Sequence, residues 1–133
     1  MDEVLEYLKE CGVFFIAADM GGAPLAAPFR EVCAFDGHIC VMADRDTERY
    51  AWLKGASRIA VAAVHPDKSW IRITGNLAED PREEARRAMD ASFRETLTNV
   101  EVAEDSTMTV FCLTKAHAVV YEEIGKRQEW DLP

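Results

Sequence analysis

The sequence predicts a single α+β domain: an antiparallel β-barrel of six or seven strands with three short flanking helices. Short apolar segments recur at regular intervals along the 133 residues, and tight turns join most of them. This spacing favours a closed antiparallel barrel over a parallel sheet. Closure would also remove the exposed edges that such apolar strands otherwise present. No linker, low-complexity tract or internal repeat divides the chain, so residues 1–133 form one domain.

The first third of the chain predicts a helix followed by a three-stranded meander. Residues 2–11 carry apolar side chains at helical spacing, and Gly12 follows as a stop signal. Asp36-Gly37 is a strong signal for a two-residue hairpin turn. The strands predicted here are 12–18, 25–35 and 38–42.

The middle of the chain predicts a second helix over residues 46–54, with Gly55 in the position after its end. The two strands that follow it are 57–65 and 70–78. Polar and apolar side chains alternate along the second of them, which indicates one buried and one polar face.

A third helix is predicted to start at Pro81, with Asp80 as its cap and Glu83 completing a capping box. Glu83 can also pair with Arg87 one turn later. Two closing strands are predicted over 107–113 and 116–121, with Lys115 between them.

Charge and composition exclude several classes of function. The chain has 15 Lys and Arg against 24 Asp and Glu, a net charge of −9, so neither a nucleic acid nor an anionic membrane is an expected partner. The acidic amino terminus is unlike a secretory or mitochondrial leader, and no apolar stretch could cross a bilayer. We therefore expect a cytoplasmic protein whose four cysteines are reduced and mostly buried. Their spacing and that of the three histidines predict no metal site.

No catalytic motif is apparent, but two segments are candidate binding elements. The first contains Pro28, Phe29 and Arg30 in a predicted strand; a proline there marks an edge or a place where something other than a strand lies alongside. The second runs from Ala43 to Tyr50, where a strand ends and a helix begins.

The start of that helix could hold a phosphate on its free N–H groups, with Arg45 and Arg49 adding charge-assisted hydrogen bonds. Asp44 in the same segment, with its acidic neighbours, would oppose a dianion. The alternative is a surface helix that caps itself and whose acids suit its own dipole.

Six segments, in order, carry a family resemblance: residues 4–15, Pro28-Phe29, the strand 70–75, the helix residues 82–86, and the closing strands 110–113 and 118–121. Their order and spacing resemble the small, single-domain members of the pyridoxamine 5′-phosphate oxidase-like group, the FMN-binding split barrels. The resemblance covers nearly the whole chain. It implies a split-barrel fold and a homodimer with two FMN sites in the grooves between subunits.

The resemblance also implies which side chains meet the cofactor. The phosphate would be held on the second strand, at the end of the third and on the following helix; these positions are Pro28, Phe29, Arg30, Ala43, Asp44, Arg45, Thr47 and Arg49. Trp70 is either core or dimer packing, or part of a flavin-site wall. Trp130 could reach a partner subunit or anchor the tail.

The chain departs from the family pattern at the phosphate positions. Ala27 stands where a basic residue is usual, Ala43 where a hydroxyl is usual, and Asp46 and Thr47 near the usual helix lysines. Three functions therefore stay open. The first is an FMN-dependent oxidoreductase that moves electrons between a reduced donor and a small organic acceptor. The second is a degenerate split-barrel module that has lost FMN or binds another ligand such as haem or a deazaflavin. The third is a structural dimer without a ligand.

Overall fold

The computed structural model describes residues 1–96 and 107–133. In these ranges the chain forms three helices: α1 (Asp2–Cys11), α2 (Glu48–Gly55) and α3 (Glu83–Thr96). They flank one antiparallel sheet whose strands are β1 (Phe14–Asp19), β2 (Pro24–Phe29), β3 (Val32–Phe35), β4 (His38–Asp44), β5 (Arg58–Val64), β6 (Trp70–Asp80), β7 (Met108–Glu122) and β8 (Gly125–Leu132). The predicted α+β class is confirmed. None of the described helices is both long and apolar enough to cross a membrane.

The barrel is split along one seam. The strands lie side by side in the order β2-β1-β5-β6-β7-β4-β3, with β8 also paired to β7, so β2 and β3 stand at opposite ends of this path. Only Arg30 and Glu31 separate these two strands in the chain. Because a residue spans at most about 3.6 Å, the sheet must roll until its two ends are neighbours. The prediction of a closed barrel is therefore wrong at this seam, and the strand predicted over 25–35 is broken there in two.

The sheet has eight described strands, where six or seven were predicted. The two predicted closing strands are a single strand, β7, which bends at Lys115 (φ 49°) and pairs with β4 along its first part and β8 along its second. Strand β8 was missed because its sequence, GKRQEWDL, lacks apolar alternation. Most of its side chains are exposed, so no buried face shapes its pattern.

The helix limits follow the prediction closely but differ at the caps. Helix α1 has the predicted limits. Helix α2 begins two residues later than predicted, with Thr47 as its N-cap, and it includes Gly55, so that Ala56 is the C-cap.

Helix α3 begins at Glu83, and Asp80 belongs to β6 instead of capping it. The Asp80 carboxylate accepts from the N–H of Arg82 at 3.1 Å and also pairs with the Arg82 guanidinium. This ion pair replaces the predicted capping box. The predicted pair of Glu83 with Arg87 is present at 2.9 Å.

Two apolar clusters hold the fold together. The larger fills the barrel, which α1 closes with Val4, Tyr7 and Leu8. The smaller lies between α3 and the outer side of β3, β4 and β7; its buried members are Cys33, Cys40, Met42, Ala85, Met89, Val110 and Cys112.

The cysteines differ from the prediction of four reduced thiols. Cys40 and Cys112 lie directly opposite each other on β4 and β7 and form a disulfide. Cys11 and Cys33 are free, and Cys33 is buried. No local pattern indicated the pair, because 72 residues separate the two cysteines and only the sheet pairing brings them together.

The turn between β5 and β6 is tied to both ends of the chain. Asp67 Oδ1 accepts from the N–H of Ser69 at 2.9 Å and from its hydroxyl, and Arg127 of β8 lies 3.2 Å from Oδ2. Ser69 is buried, and its Oγ is 2.7 Å from the hydroxyl of Tyr7 in α1. The Ser69 hydroxyl, followed by the Ser69 N–H, holds the pKa of Asp67 well below its usual range.

We expect the stabilising effect of Asp67 to disappear in acid. A carboxyl whose pKa is lower in the folded than in the unfolded state stabilises the fold above its ordinary pKa, near about 4, and loses this effect as the pH falls. Urea unfolding of the wild type and of Asp67→Asn from pH 7 to pH 2 measures how the difference in the free energy of unfolding between them changes with pH. The wild type should be the more stable at pH 7, and the difference should shrink below about pH 4. A difference that did not change with pH would mean that the contacts are not ionic.

Candidate functional site

A groove lies between the free edge of β2 and the first turns of α2. Its walls are Leu25, Ala26 and Ala27 on the strand and Glu48, Arg49 and Trp52 on the helix, and its volume is about 290 Å³. Thr47 fixes the start of the helix, since its Oγ1 accepts from the N–H of Tyr50 at 3.3 Å. The small alanine side chains leave the floor of the groove flat.

Arg49 brings a positive charge to this groove. Its guanidinium carbon lies 4.4 Å from the centre of the Phe29 ring, and Phe29 is buried. Such a contact holds the guanidinium in place without neutralising it. Among the described residues, no carboxylate pairs with Arg49. The charge is therefore available to an anionic ligand, although the Glu48 carboxylate also lines the groove.

Trp52 is a wall residue of the groove that the sequence did not indicate. The side chain is 91% buried (9% exposed), and its Nε1 is buried with no hydrogen-bond partner within the described part of the chain. A buried donor without a partner is costly to the fold. The available signal was spacing, since Trp52 follows Arg49 by three residues and so shares its face of the helix.

The turn before α2 is occupied by its own contacts. Asp44 Oδ1 accepts from the N–H of Asp46 at 2.9 Å and from the hydroxyl of Thr107 at 2.5 Å, and the Thr107 hydroxyl is the main cause of its lowered pKa. The Thr47 hydroxyl donates to the Asp44 carbonyl at 2.6 Å. Arg45 donates from Nε to the Thr107 carbonyl at 3.2 Å. The hydrogen bonds of Asp44, Arg45 and Thr47 are therefore made within the turn and to Thr107, and they stabilise the turn.

The structure does not bring Arg45 into the groove with Arg49. Arg45 instead lines a separate cavity of about 110 Å³ at the start of α3, beside Asp80 and Arg82. Ala43 is buried in the barrel core. Of the predicted site residues, Phe29 and Arg49 are thus in direct contact, with Thr47 placing the helix that carries Arg49.

Pro28 and Arg30 lie near the groove but are not part of its walls. Pro28 is exposed on β2 opposite Phe15 of β1, and Arg30 is exposed at the seam between β2 and β3. The predicted edge position of Pro28 is confirmed, because β2 is an end strand of the sheet.

Trp70 is not part of the groove walls in a single subunit. It stands at the start of β6 opposite Tyr121, near one end of β7, whereas Asp44 lies opposite Met108 at the other end of β7. The Trp70 ring stacks on Tyr121 with centroids 4.4 Å apart, and the guanidinium of Arg72 lies 5.2 Å from its centre. Trp130 anchors β8 to α1, since its Nε1 donates to Glu3 at 3.0 Å.

The outer face of β2, β1, β5 and β6 carries small and apolar side chains, and no described helix covers it. Residues directly opposite each other in an antiparallel pair share a face, which puts these side chains on one surface: Phe15, Ala17, Ala26, Pro28, Arg58, Ala60, Ala62, Val64, Trp70, Arg72, Thr74 and Asn76. We call this surface the outer face. Phe15 is 50% exposed and Val64 is 69% exposed. A second groove of about 340 Å³ opens onto it and shares Leu25 with the first groove.

Solved structures resemble this chain over nearly its whole length. A NimC/NimA family protein from Clostridium acetobutylicum is 24% identical, with a TM-score of 0.86, covering 99% of this chain and 92% of that one. A putative pyridoxamine 5′-phosphate oxidase from Listeria innocua is 13% identical, with a TM-score of 0.64, covering 98% and 96%. The chain has the split-barrel fold of the pyridoxamine 5′-phosphate oxidase-like proteins. This confirms the resemblance seen in the sequence as a likeness of fold.

A third split barrel in this comparison is the FAD- and haem-binding protein from Mycobacterium smegmatis. It is 12% identical, with a TM-score of 0.63, covering 85% of this chain and 65% of that one. No protein-family model and no curated protein sequence matches the chain. The comparisons therefore establish the fold of the chain.

The groove residues fit a planar aromatic ligand with an anionic group. Arg49 offers an uncommitted cation, Trp52 offers an aromatic wall, and Ala26 and Ala27 allow a flat ring to approach the strand. A flavin has these features. The fit is weakest at the anionic end, where Arg49 is the only basic residue among the described walls of the groove.

Proposed function

We propose that the protein is a homodimeric flavoprotein that binds FMN in the groove between β2 and α2. In this role it transfers electrons between a reduced donor and a small organic acceptor. The observation that carries the proposal is the Arg49 guanidinium, held over Phe29 at the groove without a carboxylate partner among the described residues. The flavin would supply the redox chemistry, and the protein would supply binding and orientation. No acid or base in the groove is then required.

The groove residues divide the binding between them. Arg49 would bind the phosphate through charge-assisted hydrogen bonds. Trp52 would contact the ligand as part of the groove wall. Leu25, Ala26 and Ala27 would contact the ring system along the edge of β2.

A second copy of the chain would complete the site. Ligand pockets commonly measure roughly 300–1,000 Å³ and bury most of their ligand, whereas one subunit provides a shallow groove of about 290 Å³. The outer face continues from this groove through Leu25, and its exposed apolar side chains include Phe15 and Val64. A two-fold symmetric dimer packed on the outer face would cover these side chains and close the groove from the other side.

Substitution of Arg49 tests the binding site. A flavin absorption band that survives dialysis, or a protein that binds added FMN, is the expected property of the wild type. Arg49→Gln should weaken FMN binding by about 10- to 150-fold, the equivalent of about 1.5–3 kcal/mol for a hydrogen bond to a charged group. Arg87→Gln is the matched control, because Arg87 is an exposed arginine of α3 that pairs only with Glu83 among the described residues. FMN affinity that is equal in the two variants would place the phosphate elsewhere.

The second candidate function is a binding module for a ligand without a phosphate. It is favoured by the position of Arg45 outside the groove and by the Glu48 carboxylate within it. Riboflavin separates the two candidates, since it lacks only the phosphate of FMN. If Arg49 binds the phosphate, FMN should bind the wild type at least about tenfold more tightly than riboflavin, and Arg49→Gln should remove the difference. Equal affinity for both in the wild type would favour the second candidate.

Haem is a less suitable ligand for this groove than a flavin. None of the three histidines lies in its walls: His65 pairs with Glu10, His117 pairs with Glu129 and Asp131, and His38 begins β4. A colourless protein whose melting temperature responds to neither FMN nor riboflavin would instead support a dimer without a ligand.

A further inference from the structure

Three cysteines form a row across three neighbouring strands. Cys33 of β3 lies directly opposite Cys40 of β4, and Cys40 lies directly opposite Cys112 of β7. Opposite residues share a face, so all three side chains point to the same side of the sheet. All three are buried there under Ala85 and Met89 of α3. Cys40 therefore has a cysteine neighbour on each side.

The two pairs differ in geometry. The Cα atoms of Cys40 and Cys112, which form the disulfide, are 4.1 Å apart, a distance typical of the narrow, non-hydrogen-bonded pair of an antiparallel ladder. The backbone N–H and C=O of Cys40 must then face β3, which makes Cys33 and Cys40 a wide pair with Cα atoms about 5.5 Å apart. Most disulfides span Cα separations of about 4.4–6.8 Å, a range that includes the separation of the wide pair. The Cys40–Cys112 separation is slightly shorter, but this pair already forms the bond. Both pairs are thus within reach of a disulfide, and Cys33 is free.

We propose that this row is a thiol–disulfide exchange site in which the cross-link moves between Cys40–Cys112 and Cys33–Cys40. The Cys33 thiolate attacks Sγ of Cys40, the Cys40–Cys112 bond breaks, and Cys112 leaves as a thiolate that takes up the proton released by Cys33. No external oxidant or reductant is needed. Exchange requires the attacking, central and leaving sulfurs to lie nearly in line, and three cysteines side by side on adjacent strands provide that order.

The exchange changes what the cross-link holds. The Cys40–Cys112 bond joins β4 to β7 across 72 residues of sequence, whereas a Cys33–Cys40 bond would lie within the β3–β4 hairpin. β4 ends at Asp44, whose carboxylate bonds Thr107 just before β7. Exchange would therefore break or restore the covalent bond between β4 and β7 beside the turn that leads into α2. Exchange should be slow, because burial raises the pKa of Cys33 to about 11, against a smaller opposing effect of Lys9 on α1.

Peptide mapping distinguishes the two isomers directly. Trypsin cleaves after Arg30, Arg45, Arg94 and Lys115, so Cys33 and Cys40 fall in one peptide and Cys112 in another. The unreduced protein is held folded at pH 8.5 without added thiol, sampled over days, acid-quenched, alkylated and digested. The Cys40–Cys112 isomer gives two linked peptides. The exchanged isomer gives the peptide 31–45 with an internal disulfide, together with an alkylated Cys112.

The proposal predicts that the internally linked peptide appears with time in the wild type and in Cys11→Ser, which removes the other free thiol. It predicts that this peptide is absent in Cys33→Ser. A wild type that gives only the linked pair of peptides throughout would overturn the proposal. Four alkylated cysteines in the unreduced protein would also overturn it, since no disulfide would then be present to exchange.

Discussion

Ala62→Lys is expected to convert the protein from a dimer to a monomer without unfolding it. Ala62 is exposed in the centre of the outer face, between Phe15 on one side and Arg72 on the other. In a single subunit the lysine can extend into solvent, so its effect on the free energy of unfolding should be within about 0.5 kcal/mol. In a two-fold dimer both copies would bury an added positive charge close to Arg72.

The size of this effect follows from desolvation. An unpaired charge buried at an interface costs several kcal/mol, so the dissociation constant of the dimer should rise by at least about 100-fold. Sedimentation equilibrium over a range of protein concentrations measures it. Ala91→Lys is the matched control, because Ala91 is exposed on α3, away from the outer face. A dimer that persists in Ala62→Lys but not in Ala91→Lys would place the interface on the α3 side.

The same variant separates the dimer from the ligand site. Because the groove would be closed by the second copy, Ala62→Lys should also weaken FMN binding at concentrations where it is monomeric. The residues of the groove itself are unchanged by it. FMN affinity equal to that of the wild type in a monomeric variant would mean that one subunit forms the whole site.

Local signals in the sequence were enough to predict most elements of the fold. Gly12 ended α1 (φ 80°), Asp36-Gly37 formed the β3–β4 turn, and the alternating pattern of β6 indicated its buried face. The predictions that were wrong share one cause, since each concerns a feature that is determined by contacts between residues distant in sequence. The break at Arg30 arises because β2 pairs with β1 and β3 pairs with β4 at opposite ends of the sheet. Strand β8 pairs along β7 with little burial, so its pattern is polar.

The candidate site was predictable only in part for the same reason. The segment from Ala43 to Tyr50 was predicted to contain the start of a helix with Arg45 and Arg49 facing a ligand, and the structure places Arg49 at the groove. The sequence could not show that Arg45 turns to the Thr107 carbonyl, because that contact spans 62 residues. It also could not show that the Trp52 Nε1 lacks a partner among the described residues, which depends on the whole surrounding packing.

Phe29→Ala should lower the free energy of unfolding far more than the surface substitutions Arg49→Gln, Arg87→Gln and Ala62→Lys. Phe29 is 1% exposed and its ring lies 6.1 Å from that of Phe14 in the barrel core. Removing a buried phenylalanine costs about 3–5 kcal/mol, partly from lost burial and partly from the cavity left behind. Since whole domains are stable by only about 5–15 kcal/mol, this change removes a large share of the total stability. Urea unfolding followed by circular dichroism measures the loss.

The milder pair Phe29→Leu and Phe14→Leu separates packing from ligand binding. Both replace a core aromatic ring by a smaller apolar side chain, so both should stay folded with similar losses of about 1–2 kcal/mol. Only Phe29 carries the Arg49 guanidinium on its face, at 4.4 Å. Losing that contact removes about 0.5–2 kcal/mol of the interaction that holds the Arg49 guanidinium in place. Phe29→Leu should therefore weaken FMN binding by about 2- to 30-fold, and Phe14→Leu should not. Equal FMN affinity in the two variants would mean that Phe29 serves the core alone, and that Arg49 does not need the ring beneath it to reach a ligand.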